Sequence, residues 1–300
     1  MPPESEYPLQ SLTATRVVVV AGKGGVGKTT VTAVIARAAS NAGRRVLVVE
    51  LDGKPALAGL VPDLEVMTIS PPEALDEYLR DNGFARIAKR LNRTGVIDMV
   101  GTAAPGIDDI VVLGKIKQLE RSGEYDLIVV DGPAAGHAIT FLTSASGLAD
   151  SVRSGPVRSQ ADAVLEMLRD GARCQVVLVT LPETTPVNEV IETAFALEDQ
   201  VGVQLGPVVV NGIDQGVDLP NVDAVEAAVA GLDRASAAAL VEAATFRRSR
   251  REMESEEIGR LAEQLPIAQV TLPARLVAGL APDDVDALAA LLGPTVGATS

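Results

Sequence analysis

A short glycine-rich stretch, Ala21 to Thr30, constrains the fold of this chain more than any other part of its sequence. It reads Ala-Gly-Lys-Gly-Gly-Val-Gly-Lys-Thr-Thr and matches the phosphate-loop spacing of a glycine, four residues and then Gly-Lys-Thr. A β-branched run at 16–20 precedes it, and an alanine-rich segment that stops before Gly43 follows it. The order of strand, glycine loop and helix is the context this motif requires, so the sequence predicts a phosphate-binding loop here.

The residue types of this loop suit a bound triphosphate. Glycines let the backbone adopt positive φ and approach a phosphate closely, and the N–H groups at a helix N-terminus face the anion. We expect Lys28 to contact the β- and γ-phosphates and the Thr29 hydroxyl to bind Mg²⁺. A glycine turn without a ligand is the alternative, but the complete motif and both flanking elements favour a nucleotide. The predicted nucleotide contacts in the loop are Gly22, Lys23, Gly24, Gly25, Val26, Gly27, Lys28, Thr29 and Thr30.

Apolar strand-like runs alternate with helical segments along the chain. The runs are nearly continuous in aliphatic residues, which is typical of parallel strands that are buried on both faces. We therefore predict an α/β fold: a doubly wound, mostly parallel sheet of about seven or eight strands with helices on both faces.

The sequence indicates one domain. A chain of 300 residues is long enough for a single large α/β domain, and neither an internal repeat nor a linker divides it. We expect residues 1–14 to be a flexible tail, 15–294 to form the phosphate-loop domain, and 295–300 to be a second tail. Within the domain, we expect a reduced helical subdomain at about 72–122 and 139–173.

Charge and cysteine content exclude several classes of protein. The 26 basic and 40 acidic residues give a net charge of −14, which disfavours general binding to nucleic acid or to anionic lipid. The one cysteine, Cys174, cannot form an internal disulfide, a CxxC zinc site or a cluster ligand pair.

The N-terminus lacks the apolar segment of a signal peptide, and no apolar run reaches the roughly 20 residues that span a bilayer. We expect a cytoplasmic protein without zinc or an iron–sulfur cluster.

Two aspartates follow predicted buried strands. The carboxyl ends of parallel strands are where open α/β sheets bind their ligands. Asp52 could orient an attacking water or could merely cap the next turn, and we favour the first role because of its position. Asp131 is expected to hold Mg²⁺ directly or through water. The segment from Asp131 to His137 is expected to be a switch loop that senses the γ-phosphate, with His137, the single histidine, in a hydrogen-bonding role.

The second lysine of the loop, Lys23, narrows the class further. Lys-Gly-Gly-Val-Gly-Lys-Thr-Thr resembles the deviant phosphate loop of dimerising ATPases. These include the MinD and ParA proteins, the nitrogenase iron protein, and the arsenite-pump and tail-anchored-protein-targeting ATPases. In those families the extra lysine reaches across a dimer interface to the partner's nucleotide, and the resemblance implies the same role for Lys23.

Other stretches are similar to the arsenite-pump and tail-anchored-protein-targeting family in particular. The Pro-Gly-Ile-Asp sequence that starts at Pro105 matches it, and Asp131, Gly136 and His137 match its switch II, which reads Asp-Thr-Ala-Pro-Thr-Gly-His. Only Asp52 remains of its switch I, Asp-Pro-Ala-His. By the same resemblance, Asn211 would contact adenine, although an ordinary Asn-Gly turn is the alternative. Pro273 begins a stretch that resembles the loop packed on the base.

The resemblance implies a Mg²⁺-dependent ATPase that dimerises around ATP, with itself or with a related subunit. Lys23, Lys28 and Asp52 would be its catalytic residues, and its nucleotide state would control a membrane protein or a hydrophobic client. Two alternatives stay open. The altered switch I favours a nucleotide-binding regulatory subunit with little turnover, and the loop alone also fits a ParA- or MinD-like positioning ATPase.

Overall fold

Seven parallel strands form the centre of the computed structural model, which describes residues 8–51, 56–81, 83, 106–216 and 222–293. The strands are β1 (Val17–Gly22), β2 (Val46–Glu50), β3 (Glu65–Thr68), β4 (Leu127–Ala134), β5 (Cys174–Thr180), β6 (Val208–Ile213) and β7 (Gln269–Pro273). Every pair of neighbouring strands is parallel, and their order across the sheet is β3-β2-β4-β1-β5-β6-β7. The strand that precedes the glycine loop is therefore central.

Helices cover both faces of this sheet. They are α1 (Pro8–Leu12), α2 (Lys28–Asn41), α3 (Leu57–Leu60), α4 (Pro71–Asp81), α5 (Ile107–Ser122), α6 (Ala135–Ser151), α7 (Pro156–Arg169), α8 (Thr184–Gln200), α9 (Val222–Val229), α10 (Arg234–Gln264) and α11 (Pro282–Ala289). None of these described helices combines the length and the apolar composition needed to cross a bilayer.

Each central strand contributes to two hydrophobic clusters because successive side chains point to opposite faces. In β1, Val18 and Val20 lie in the cluster with α1, α2 and α11, whereas Val17 and Val19 lie in the cluster with α4 to α8. All four valines are almost fully buried. The doubly wound α/β fold predicted from the sequence is confirmed.

The described helices within 72–122 and 139–173, where we expected a helical subdomain, share a core with the sheet; residues 82 and 84–105 of that prediction lie outside the described residues. Helix α4 packs on α5, and α5 and α6 pack on α7. Their buried residues, among them Leu113 and Leu168, belong to the same cluster as Val17 and Val19. These helices therefore extend one layer of the fold.

The N-terminal segment is packed rather than loose, so the predicted flexible tail at 1–14 is wrong from residue 8 onward. Leu9 and Leu12, three residues apart on one side of α1, are 7% and 0% exposed. The Leu9 N–H donates to the Leu292 carbonyl at 2.9 Å, and Gln175 Nε2 donates to the Leu12 carbonyl at 2.7 Å. The tail predicted at 295–300 lies outside the described residues.

Replacing Leu12 by alanine should lower the free energy of unfolding by about 2–5 kcal/mol, the usual cost of truncating a fully buried leucine. Urea denaturation checks this. Gln10→Ala is the matched control, since Gln10 is exposed on the same short helix and should change stability by less than about 0.5 kcal/mol. Equal, small effects of both substitutions would mean that α1 does not pack against the domain.

Candidate functional site

The glycine loop joins β1 to α2 at the carboxyl edge of the sheet, and two of its glycines are required by close contacts. A Cβ at Gly22 would lie 2.4 Å from the Val179 carbonyl oxygen of the neighbouring strand. Gly27 has φ of 91°, and a Cβ there would lie 2.3 Å from Asn211 Nδ2. Gly27 also accepts the first bond of α2, from the Val31 N–H at 2.9 Å. The loop can therefore hold its shape only with glycine at these positions.

The lysine and threonine residues that end the loop lie at the start of α2. Lys28, Thr29 and Thr30 form the first turn of α2. The Lys28 ammonium reaches back over the loop and donates to the Lys23 carbonyl at 3.2 Å. The loop N–H groups, the helix N-terminus and this ammonium together fit the phosphates of a nucleotide.

Asp131 joins β4 to α2 and forms the candidate Mg²⁺ position. Thr29 Oγ1 donates to Asp131 Oδ2 at 2.8 Å, and Thr32 Oγ1 donates to Oδ1 at 3.4 Å. Burial raises the pKa of the Asp131 carboxyl above its ordinary value of 3.8, although the bond from Thr29 and the charge of Lys28 act in the opposite direction. A hydroxyl and a carboxylate oxygen in contact are the hard ligands that Mg²⁺ prefers, so this pair fits the ion.

Glu50 is an acidic residue of this site that sequence reasoning missed. It pairs with Asp131 across β2 and β4, is 5% exposed, and adds to the rise of the Asp131 pKa. Its Oε1 accepts the Leu57 N–H at 2.9 Å, which fixes the start of α3. A charged residue that ends an otherwise apolar strand, two positions before Asp52, was the signal that could have revealed it.

Lys23, the loop lysine that we expected to reach a partner's nucleotide, is held within its own chain. Its Nζ lies 2.5 Å from Glu189 Oε1 on α8, and both side chains are more than a third exposed. This ion pair does not exclude the role implied by the resemblance. It means that Lys23 must leave Glu189 before it can contact anything beyond the subunit.

The two residues proposed to contact the base lie at the same edge of the sheet. Asn211, in β6, donates from Nδ2 to the Val26 carbonyl at 2.9 Å, so its amide is fixed against the phosphate loop. Pro273 ends β7 and pairs with Ile213, two residues beyond Asn211. Asn211 therefore connects the loop to the strand that leads towards Pro273.

The predicted switch segment after Asp131 is regular secondary structure, not a loop. β4 continues past Asp131 to Ala134, and α6 begins at Ala135, because parallel pairing with β1 continues to Gly22. Gly136 and His137 are exposed in the first turn of α6. The charge of His137 acts on Asp109, where burial and Asp108 raise the carboxyl pKa and His137 lowers it. The two matching residues thus lie on a helix start that faces α5.

Besides the tail at 295–300, two residues singled out in the sequence fall outside the described residues. They are Asp52, the residue expected to position water, and Pro105, the first residue of the Pro-Gly-Ile-Asp element. From the rest of that element, Gly106 has φ of 86° and precedes α5, which carries Asp108 and Asp109 in its first turn. Acidic residues at this end suit the helix dipole.

Fold and site together define a class: a doubly wound α/β protein with a phosphate loop at the centre of its sheet. Comparison with known proteins identifies the family. Residues 15–155 match the model of the anion-transporting ATPase family. An ATPase named BagA from Mycobacterium tuberculosis and a putative ATPase from Mycobacterium bovis are each 33% identical over 225 residues, covering 67% of this chain and 66% of theirs. The chain belongs to the anion-transporting ATPase family.

More distant relatives are longer proteins. The arsenical pump-driving ATPase of Escherichia coli is 28% identical over 60% of this chain, and a putative one from Halobacterium salinarum is 28% identical over 66%. The chain spans about two thirds of the mycobacterial relatives (66%), but only 32% and 35% of these two proteins. The family match ends at residue 155, so it includes the phosphate loop and Asp131 but not Asn211 or Pro273.

Asp131→Asn should raise the free energy of unfolding of the nucleotide-free protein at pH 7. Because burial raises the folded-state pKa of this carboxyl above 3.8, ionisation costs the folded state more than the unfolded one. Below about pH 4 the carboxyl is protonated in both states, so the wild type does not lose stability through its ionisation. As the pH rises through the shifted pKa, the free energy of unfolding of the wild type falls. The stability that Asp131→Asn gains over the wild type should therefore be small near pH 4 and should increase as the pH rises.

Urea unfolding from pH 4 to 8 measures this difference. Asp199→Asn, at an exposed position on α8, is the matched control and should change stability by less than about 0.5 kcal/mol throughout. A loss of stability in Asp131→Asn at pH 7 would mean that the bonds from Thr29 and Thr32 outweigh the cost of burying the charge.

Proposed function

We propose that this chain is a Mg²⁺-dependent ATPase of the anion-transporting type, which hydrolyses ATP to ADP and phosphate. The observation that carries the proposal is the contact between Thr29 and Asp131 at 2.8 Å. It lies next to the phosphate loop, whose Lys23 carbonyl accepts a hydrogen bond from the Lys28 ammonium. A phosphate cradle, an ammonium and an oxygen pair suited to Mg²⁺ therefore lie at one edge of the sheet. Relatives named ATPases support the same activity.

Each residue has a role set by its position. The N–H groups of residues 24–28 bind and orient the phosphates, and Lys28 neutralises the charge that develops on the γ-phosphoryl group. Thr29 and Asp131 would hold Mg²⁺, which supplies further neutralisation of phosphate charge. Asp52 would orient the water for in-line attack, and its place just after β2 and the buried Glu50 supports that role. The hydrogen bond from Asn211 to the Val26 carbonyl fixes the phosphate loop against the edge of the sheet that would bind the base.

Dimerisation is the second part of the proposal. Lys23 is expected to leave Glu189 and contact the nucleotide of a second subunit, either another copy or a related chain. Nucleotide state would then control subunit packing and, through it, a membrane-protein partner or a hydrophobic client. We place this activity in the cytoplasm, with support from the single buried thiol of Cys174, whose pKa burial raises to about 12. The net charge of −14 argues against a nucleic-acid partner.

A regulatory subunit that binds nucleotide with little turnover is the second candidate. The ion pair between Lys23 and Glu189 favours it, since the isolated chain holds its extra lysine away from any second nucleotide. The two functions differ in turnover and not in nucleotide binding.

Steady-state phosphate release with Mg-ATP distinguishes the two candidates. If the chain is an ATPase, Asp52→Asn should lower kcat by about 10²- to 10⁴-fold, the usual loss when water is no longer positioned by a base, and should leave the Kd for ATP within a few-fold. Asp199→Asn should keep wild-type turnover. Tight binding of Mg-ATP by the wild type without measurable phosphate release would favour the regulatory subunit instead.

Glu189→Gln should make ATP-dependent dimers form at lower ATP concentration. A partly exposed ion pair contributes about 0.2–1 kcal/mol, so releasing Lys23 should shift the midpoint by up to about fivefold. Native mass spectrometry over an ATP series measures the midpoint, and Lys23→Gln should abolish the dimer. Glu192→Gln, at an exposed position one turn further along α8, is the control. Wild-type midpoints for both glutamate variants would show that the pair with Glu189 does not restrain Lys23.

A further inference from the structure

Two cavities adjoin each other among helices α4, α5 and α7, on the face of the sheet opposite α2. One has a volume of about 230 Å³ and a wall of polar and charged side chains. The other has a volume of about 200 Å³ and, apart from Gln160 and the Tyr78 hydroxyl, an apolar wall. Tyr78, Val111 and Gln160 line both. Neither cavity alone reaches the roughly 300 Å³ at the lower end of typical ligand sites, but the adjoining pair does.

A buried ammonium forms part of the polar cavity. Lys117 is only 9% exposed, and its Nζ donates to the neutral Gln160 Oε1 at 2.8 Å. Its neighbour Lys115, by contrast, pairs with Glu77 at 2.6 Å. Burial lowers the pKa of Lys117, and the charges of Arg121 and Arg173 lower it further, while the charge of Glu166 acts in the opposite direction. A negative group in this cavity would stabilise the charged form of Lys117.

Gly114 determines where the amide of Gln160 lies. A Cβ at Gly114 would lie 1.8 Å from Gln160 Nε2, so any side chain there would displace the amide. With glycine, the amide rests on the backbone of α5 and reaches Lys117. The junction of the two cavities is therefore built from the glycine, the amide and the ammonium.

The charges in the wall match a single negative charge. Lys115, Lys117 and Arg121 contribute three positive charges, and Glu77 and Asp81 contribute two negative ones. The wall thus carries a net charge of +1, although the whole chain carries −14. A monoanion balances this wall, whereas a phosphate dianion would exceed it.

The apolar cavity is suited to an alkyl chain. Apolar walls offer water few hydrogen bonds and so favour an alkyl chain, and an engineered apolar cavity of about 150 Å³ binds the six carbons of benzene. By that measure, the 200 Å³ cavity has room for about eight carbons. A carboxylate next to Lys117 would leave such a chain free to enter the neighbouring cavity.

We propose that these adjoining cavities bind a small amphipathic carboxylate of the medium-chain fatty-acid type, with its carboxylate at Lys117 and its alkyl chain between α4, α5 and α7. The site does not involve the phosphate loop, and the proposal stands whether or not the chain hydrolyses ATP.

Calorimetric titration of the full chain with three probes tests the proposal. Octanoate supplies charge and tail, octanol the tail alone, and acetate the charge alone. Octanoate should bind about tenfold or more tighter than octanol, since a hydrogen bond to a charged group has roughly this effect. It should also bind tighter than acetate, which has no alkyl chain to bury. Octanol that binds as tightly as octanoate would overturn the carboxylate assignment, and no binding of octanoate would overturn the site.

Two variants locate the ligand. Lys117→Met keeps the length of the side chain without its charge, and should reduce the affinity for octanoate to that for octanol. Val157→Phe adds bulk to the apolar wall from a position that is 36% exposed, and should weaken octanoate binding without strengthening acetate binding. Arg80→Met, at an exposed position on α4 outside both walls, is the control. Far-ultraviolet circular dichroism confirms that each variant folds, and wild-type affinity of Lys117→Met for octanoate would overturn the proposal.

Discussion

The hydrogen bond between Thr29 and Asp131 connects the parts on which the site depends. It links the first turn of α2 to the end of β4, so the helix that carries the phosphate loop is held over the carboxyl edge of the sheet. The bond exists because β1 and β4 are paired with Val20 opposite Asp131. Burial makes this carboxylate costly for the apo-protein. The proposed Mg²⁺ ion would offset this partly buried negative charge, and its binding would therefore stabilise the folded protein.

Much of the fold and the centre of the site could be predicted from sequence because their determinants are local. Aliphatic runs define strands that are buried on both faces, and the spacing of Gly22, Gly27 and Lys28 defines the loop. Asp131 could be found because it ends such a run. Its partner Glu50 was missed because the predicted strand was expected to end at Asp52, so Glu50 counted as an interior residue, whereas β2 ends at Glu50 itself.

Other features depend on contacts that are distant in sequence. The ion pair between Lys23 and Glu189 joins residues 166 positions apart, and no local pattern indicates it. The packing of Leu9 and Leu12 likewise depends on the C-terminal segment at Leu292. The sequence around residues 8–12 therefore predicted a flexible tail instead of a packed helix. The prediction of a loop after Asp131 failed because resemblance to a switch motif says nothing about how far strand pairing continues along β4.

The edge of the sheet that carries Asn211 is also connected to the longest helix. Just after β6, Asp214 accepts two bonds from Arg247 on α10, at 2.6 and 2.9 Å, and this guanidinium lowers the pKa of Asp214 to about 2. The Asp214 N–H in turn donates to Glu254, a residue of α10 that is 4% exposed. Asp214 lies three positions after Asn211, the residue whose amide fixes the phosphate loop. A shift of Asn211 on nucleotide binding would thus act directly on α10, whose N-terminal half exposes Leu240 and Phe246. The strand end that secures the loop therefore also holds the helix that exposes these two side chains.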